Sequence, residues 1–262
     1  MPRPVITLTT DFGQQDSYVG TMKGVMLSIC PDATLVDITH EVRPQAVRQA
    51  AYLLSTAVPY FAPGTVHLVV VDPGVGSERR AIAVKSSRAI YVAPDNGVLD
   101  MALAQDPARR AVSIANPDVR LPSVSATFHG RDIFAPAAAH LACGTDPLQM
   151  GEPIPLTSLV SQPSLQVQRR ADGSLSGQIL HMDHFGNLIT NFHEPLTVDP
   201  LVVLIGQARI VGLSRTFSDV AAGEFVAYIG SSGYLEIAIR EGNAAARLGV
   251  DLGDPVMIER AT

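Results

Sequence analysis

The sequence predicts an N-terminal α/β domain with a mostly parallel sheet, followed by a small antiparallel barrel or sandwich. Three observations lead there. Apolar runs ending near an aspartate alternate with helical periodicity over the first 145 or so residues. A segment rich in Pro, Ser and Gly, GTDPLQMGEPIPLTSLVSQPS, then interrupts that pattern. Beyond it come short strand patterns joined by Gly-containing turns, with little helix. The expected boundaries are 1–150 for the first domain, 151–175 for a linker region and 176–262 for the second.

Residues 4–9 read as a buried strand that stops at Thr10-Asp11. Tyr18, Val19, Met22, Val25, Met26 and Ile29 recur at helical spacing, and Pro31 follows the helix end. A second strand is expected at 34–38, and Ala46, Val47, Ala50, Leu53, Leu54 and Ala57 mark a second helix. Val66 to Val71 is a continuous apolar run into Asp72, as suits a parallel strand covered on both faces. Ligands of such sheets bind beyond the carboxyl ends of the strands. Asp11, Asp72 and Asp95 each lie at or near such an end, so three carboxylates are expected on one rim. In the second part, strands are expected at 176–182, 201–205, 208–213, 225–230, 234–239 and 255–260.

Composition narrows the function classes. Apolar residues make up 47% of the 262, enough for a sizeable core, and aromatics are few. The net charge is −6 with no basic patch in the sequence, which argues against a general nucleic-acid binder. No apolar run reaches the roughly 20 residues of a spanning helix, and the N-terminus does not read as a signal peptide. A cytoplasmic protein without membrane or nucleic-acid partners is expected. Cys30 and Cys143 make no disulfide framework and are expected as small buried thiols.

Polar motifs carry the chemistry. Asp72-Pro-Gly-Val-Gly follows a strand, and its glycines let the backbone turn tightly near a ligand, although Asp, Pro and Gly also make ordinary turns. It is neither a P-loop nor a dinucleotide fingerprint. Arg79, seven residues on, either folds back beside Asp72 or stays solvated. In Phe128-His129-Gly130-Arg131-Asp132, His129 is a candidate proton acceptor or metal ligand, and Asp132 suits a helix start. Pro94-Asp95-Asn96-Gly97 reads as a turn. The run from His181 to Asn187 alternates His and Asp without a second ligand pair at metal spacing, so Phe185 stacking on a flat ligand is the better reading. Gly230-Ser231-Ser232-Gly233 joins two strands, and alternation puts Tyr234 and Glu236 on one face.

The set as a whole resembles one family over residues 5–260: Thr9-Thr10-Asp11-Phe12-Gly13, Asp16 with Tyr18-Val19-Gly20 and Met22-Lys23-Gly24, DPGVG with Arg79, PDNG, FHGRD, DHFGN with Thr190-Asn191, and GSSGYLEIA followed by GNAA. The family is that of the S-adenosyl-L-methionine (SAM) hydrolases, adenosine-forming, also called SAM hydroxide adenosyltransferases and related to the fluorinases and chlorinases. The resemblance implies an α/β domain with a C-terminal β-barrel, and a homotrimer whose sites lie between neighbouring subunits. It implies conversion of SAM and water to adenosine and L-methionine by displacement at ribose C5′, without metal or cofactor. The family's water-handling trio falls on Asp72, Arg79 and His129, and its ribose aspartate on Asp11. Phe128 is carried along as a substrate contact within FHGRD. Asp183 matches a residue near the methionine amine, Phe185 and Asn187 match adenine contacts, and Phe217 is an aromatic neighbour. Ser231 matches a methionine contact, and Asn243 and Ala244 match the loop at the adenine edge. Glu236 joins the set from its strand face alone.

Those residue types suit the reaction. A sulfonium leaves as a neutral thioether, so no acid need protonate it. The difficulty is the nucleophile, because bulk water has a pKa near 15.7. The same residues argue against halide transfer: two like charges about 4 Å apart repel by about 4 kcal/mol at an effective dielectric near 20. The halogenases, as the resemblance has it, lack the Asp and His found at positions 72 and 129. Two other classes remain open on sequence. Asp11, Asp72, Asp95 and His129 would serve a metal-dependent phosphoester hydrolase, and a non-catalytic SAM or adenosine sensor would bind without turnover.

Overall fold

A computed structural model describes residues 3–162, 166–196 and 200–260 of the chain, which forms two compact units, Met1–Gln162 and Pro163–Thr262. Residues 163–165 of the expected linker lie outside the described residues.

The first unit is built on a mixed sheet of β1 (Val5–Thr10), β2 (Thr34–Thr39), β3 (Val66–Val70), β4 (Ala81–Lys85), β5 (Ile90–Pro94) and β6 (Arg110–Ser113). Its order is β2-β1-β3-β5-β4-β6. The strands β2, β1, β3 and β5 run parallel, while β4 is antiparallel to both its neighbours. The apolar run of β3 follows from two-sided burial. Leu68 and Val70 pack with Met22 and Met26 of α1 (Tyr18–Ile29), whereas Val69 and Val71 pack with Ala50 and Leu54 of α2 (Val47–Ala57). Successive strand residues point to opposite faces, so a strand sandwiched between helices is apolar except where a buried polar group finds a partner. The helices α3 (Asp100–Gln105) and α4 (Ala135–Ala142) complete the two layers. Because β1 and β3 are parallel neighbours with Thr10 paired to Val70, Asp11 and Asp72 leave the sheet at the same edge.

One buried polar pair sits within this sheet. His67 of β3 is 1% exposed, lies 2.8 Å through Nδ1 from Thr7 Oγ1, and stacks on Tyr91. Burial lowers its pKa to about 4. The unfolded chain therefore binds a proton near pH 6.5 that the fold refuses. The stability this neutral histidine preserves is fully present above that pH and is lost as pH falls toward 4, by roughly 3 kcal/mol. Thermal melts at pH 7 and pH 4 check this: a His67→Gln variant should lose less of its melting temperature between the two than the parent.

The cysteines depart from expectation. Cys30, at the end of α1, is fully buried, but Cys143, at the end of α4, is exposed, and the two form a disulfide with Cα atoms 5.8 Å apart. The helices α1 and α4 pack side by side, which brings together residues 113 apart in sequence. Spacing alone carries no sign of that convergence.

Residues 151–162 are bound to the first unit. Asp95, 6% exposed, accepts from Arg80 Nε at 2.8 Å and from the Val160 N–H at 2.9 Å. Gln162 Nε2 donates to the Asn96 carbonyl at 2.7 Å, and Arg80 Nη1 reaches Ser158 Oγ at 3.0 Å. PDNG is thus the clamp for the segment leaving the α/β unit.

The second unit is an antiparallel sheet of β7 (Gln168–Arg169), β8 (Leu175–Met182), β9 (Leu188–His193), β10 (Leu201–Ile205), β11 (Ala208–Val211), β12 (Phe225–Ile229), β13 (Tyr234–Ile239) and β14 (Pro255–Arg260). The path runs β11-β10-β14-β8-β9-β13-β12, with β7 on β8. A bridge between Ser214, just past β11, and Tyr228 of β12 nearly closes it into a barrel. Ile179, Leu188, Phe192, Val203, Leu235 and Ile258 fill its core. The sequence reading did not include β9 or the five-residue helix α5 (Ala244–Leu248). In β9 the polar Thr190 and Asn191 interrupt the apolar alternation, yet both are buried, and Thr190 Oγ1 donates to the Leu235 carbonyl at 2.8 Å.

Candidate active site

The first half of the site grows from the ends of β1 and β3. After β3 the chain turns through DPGVG. Gly76 adopts φ +78°, and a Cβ there would come within 2.7 Å of the Ala126 carbonyl oxygen. Glycine therefore lets this loop lie against the segment leading into FHGRD. The turn sends Arg79 back onto Asp72. Arg79 Nε lies 2.9 Å from both Asp72 carboxylate oxygens, and Nη2 lies 2.5 Å from Oδ2. The same Nη2 lies 2.7 Å from His129 Nδ1. The Arg79 guanidinium also sits 5.2 Å from the centroid of the buried Phe134 ring. Asp72 and Arg79 side chains are only 6% and 11% exposed, so their charges interact in a largely dry setting. The two readings of Arg79 are settled: it folds back.

His129 stands just before a π-helical turn, Gly130–Phe134, that leads into α4. Gly130 lets Met22 and Phe12 approach closely, since a Cβ there would meet both at 3.2 Å. Asp132 is fully buried, and it accepts from the Ser125 N–H at 2.8 Å and from Arg131. It holds the loop before His129 and is structural, as its helix-start position suggests. Burial and the Arg79 charge lower the His129 pKa, against opposing pulls from Asp72, Asp132 and the Ser125 backbone. An arginine N–H can only donate, so His129 Nδ1 accepts. The imidazole is then neutral, with its proton on Nε2.

Asp11 accepts the Gln45 N–H on Oδ2 at 2.8 Å. Its pKa is raised, chiefly by burial and further by the Asp72 charge, with backbone hydrogen bonds opposing. Beside it Phe128, Phe12 and Tyr18 form an aromatic cluster with centroids 5.2–5.9 Å apart. Sequence reasoning named Phe128 but gave Phe12 and Tyr18 no role. It missed Gln45 and Phe134 altogether, because neither type carries a motif signal. Asp11, Asp72 and Asp95 all follow parallel strands and share one sheet edge as expected, but Asp95 is committed to Arg80 and Val160. Among the described residues no group of three or more His, Cys, Asp or Glu side chains is placed to hold a metal ion.

The second unit presents the remaining candidates. Asp183 organises its own loop: Oδ1 accepts the N–H groups of Phe185 and Asn187 at 2.9 and 2.8 Å, and Oδ2 accepts from Asn187 Nδ2 at 2.8 Å. Phe185 is left 72% exposed, while Asn187 is buried. Gly186, at φ +83°, lies flat against Asn243, whose Oδ1 caps α5 by accepting from the Ala246 N–H at 2.7 Å. Phe185 and Asn243 thus belong to one surface feature. Ala244 is fully buried in the barrel core, so its side chain is not available to a ligand. Ser231 is exposed in the turn from Gly230 to Gly233. Glu236 accepts from Tyr228 Oη at 2.6 Å, and Phe217 packs on the Tyr228 ring at 4.8 Å between centroids. Burial raises the Glu236 pKa, the Tyr228 bond opposes this, and the Asp183 charge adds to it.

Comparison with known proteins bears on both halves. Residues 6–151 match the SAM hydroxide adenosyltransferase N-terminal domain, and residues 177–257 match the corresponding C-terminal domain. The chain belongs to this family. The (R)-S-adenosyl-L-methionine hydrolase of Salinispora tropica is 42% identical over 262 residues, covering 98% of each chain. The protein of the same name from Thermus thermophilus is 43% identical, over 98% of this chain and 99% of its own. Proteins named fluorinase are more distant, at 29–30% identity. Among solved structures, an uncharacterized conserved protein from Thermotoga maritima superposes with a TM-score of 0.88 at 37% identity, over 97% of this chain and 100% of its own.

Proposed function

We propose that this SAM hydroxide adenosyltransferase family member hydrolyses SAM to adenosine and L-methionine by in-line attack of water at ribose C5′. The observation that carries the reading is the linked chain Asp72–Arg79–His129 at the strand ends. Water's oxygen forms the new bond to C5′ as the C5′–S bond breaks. The bonding pair goes to sulfur, which leaves as a neutral thioether, and the water proton is released. His129 Nδ1 is occupied by an Arg79 N–H, so it is not the acceptor. Asp72 Oδ1, bound by Arg79 Nε alone at 2.9 Å, keeps acceptor capacity and takes the proton. Arg79 orients that carboxylate and steadies the developing hydroxide. Asp11 binds the ribose diol, with Phe128 beside it. In the second unit, Phe185 and Asn243 meet the adenine, and Ser231 and Asp183 the methionine end, with Asn187 fixing the Asp183 loop. Phe217 and Glu236 complete the wall, and the main chain of Ala244 takes the place of its buried side chain.

The relatives' names specify the R configuration. A sulfonium sulfur bearing three different carbons is a stereocentre, so the proposal extends to preference for the (R) epimer at sulfur. No metal or cofactor enters any step. Among the described residues no helix is long and apolar enough to cross a membrane. We place the enzyme in the cytoplasm as a homotrimer with sites shared between neighbouring subunits. That arrangement rests on the family resemblance.

The test uses separated SAM epimers in oxygen-18 water. Labelled adenosine with methionine, formed faster from the (R) epimer, is the expected result. S-adenosylhomocysteine, or no product from either epimer, overturns the reading. Turnover should be unchanged by a metal chelator; loss on chelation, restored by a divalent ion, would favour the phosphoesterase alternative. Light scattering should give three times 27.8 kDa. Halide in place of water should yield little 5′-halo product, because the nucleophile position faces the Asp72 carboxylate.

A further inference from the structure

Gln45 is one of two non-glycine residues with positive φ among those described, the other being Glu241. Its φ is +66°, in the left-handed region that costs an ordinary side chain energy. Such conformations persist where the surroundings over-determine them, and often where function needs them. Here the consequence is visible: the Gln45 N–H donates to Asp11 Oδ2 at 2.8 Å, while the Gln45 side chain is exposed. Residues 40–45 are lashed to the end of β1 by further bonds. The Gly13 N–H donates to the His40 carbonyl at 2.8 Å, and the Val42 N–H reaches the Thr10 carbonyl at 3.4 Å. The fully buried His40 ring adds a third tie, with Nδ1 2.8 Å from Thr10 Oγ1 and Nε2 3.0 Å from Asp37 Oδ1. Lys23 Nζ in turn lies 2.6 Å from Asp37 Oδ2. Residues 40 and 42 and the Gln45 amide are therefore held on the end of β1, and the left-handed φ at 45 lets the chain keep that amide on Asp11 while turning into α2 at Val47.

We infer that Gln45 is a positioning residue that fixes the Asp11 carboxylate through its left-handed main chain, leaving Oδ1 to accept a ribose hydroxyl. The ribose role of Asp11 rests on the SAM reading; the tie between Gln45 and Asp11 does not. An amide N–H on a carboxylate favours the charged form, so losing it raises the Asp11 pKa. It also frees the carboxylate to rotate.

A substitution series at 45 separates main chain from side chain. Gly and Asn accept positive φ readily, Ala less so, and Val least. Q45G and Q45N should keep kcat/KM for SAM within about twofold of the parent. Q45A should be intermediate, and Q45V should lose about tenfold or more, mostly in KM, with the acidic limb of the pH profile moved upward. Carbon-13 NMR titration of the Asp11 carboxyl should show its pKa unmoved in Q45G and raised in Q45V. Melting temperature provides the control, because a purely structural role moves it without moving the Asp11 titration. If Q45V does not fold, Q45A against Q45G decides, since both lose the amide side chain and differ in tolerance of positive φ. The inference is overturned if Q45G falls as far as Q45A or Q45V with its melting intact, or if Asp11 titrates identically across the series. Should the parent fail to hydrolyse SAM, the functional reading fails, and the titration series still decides the role of Gln45.

Discussion

Replacing Asp72 with asparagine is expected to lower kcat for SAM hydrolysis by about a thousandfold while leaving adenosine affinity within a few-fold of the parent. The replacement is nearly isosteric, so packing should survive. What it removes is the anion that Arg79 grips through Nε and Nη2 and the oxygen that takes the water proton. An amide is a far weaker base than a carboxylate. Arg79 is left without its counter-charge in a largely dry setting, its hold on His129 Nδ1 loosens, and the water loses its acceptor and its orienting neighbour together. Adenosine has no leaving group and makes no demand on the base, which is why its affinity reports the pocket alone. Steady-state kinetics beside calorimetric titration of adenosine separate the two effects. Turnover within fivefold of the parent would remove Asp72 from the chemistry; equal loss of turnover and adenosine binding would make it a structural residue.

Much of the α/β layer was legible because two-sided burial writes itself into sequence. The run from Val66 to Val71 has no polar residue apart from His67, and His67 is itself buried between Thr7 and Tyr91. The barrel was less legible. Thr190 and Asn191 of β9 are buried polar residues satisfied by partners distant in sequence, and no local pattern announces such satisfaction. The meeting of Cys30 and Cys143 was invisible for the same reason: it depends on how two helices dock.

The candidate site divides along the same line. Asp72 and Arg79 were paired through the family resemblance, because a spacing of seven residues by itself left Arg79 either folded back or solvated. The contribution of Gln45 was not, since nothing in glutamine signals positive φ, and the useful group is its main-chain N–H. Ala244 was carried over as part of a loop, and its buried side chain leaves only its backbone to contribute. Asp183 is a mixed case, because it matches a residue near the methionine amine yet both its oxygens already accept from its own loop.

PDNG provides the second large effect, and its sign distinguishes clamp from catalyst. Asp95→Ala is expected to destabilise the first unit by about 3 kcal/mol and to leave turnover per folded enzyme unchanged. The Asp95 side chain is 3% exposed and holds Arg80 at 2.5 Å and the Val160 N–H at 2.9 Å. Removing it leaves a guanidinium without its anion and a main-chain donor without its acceptor, which costs more than the lost bonds themselves. The Ser158, Asn96 and Asp100 ties and the packing of Leu159 then remain for residues 158–162. For a unit of this size the loss corresponds to a fall of roughly 6–12 °C in melting temperature. Asp95→Asn should fall less, because its side-chain carbonyl still accepts from Val160. Neither change touches Asp72, Arg79 or His129, so the kinetics of the folded fraction should match the parent. Differential scanning calorimetry beside kinetics at 20 °C reads both effects. A collapse of kcat with unchanged melting would return Asp95 to the reacting centre, and with it the carboxylate rim that a metal-dependent hydrolase would need.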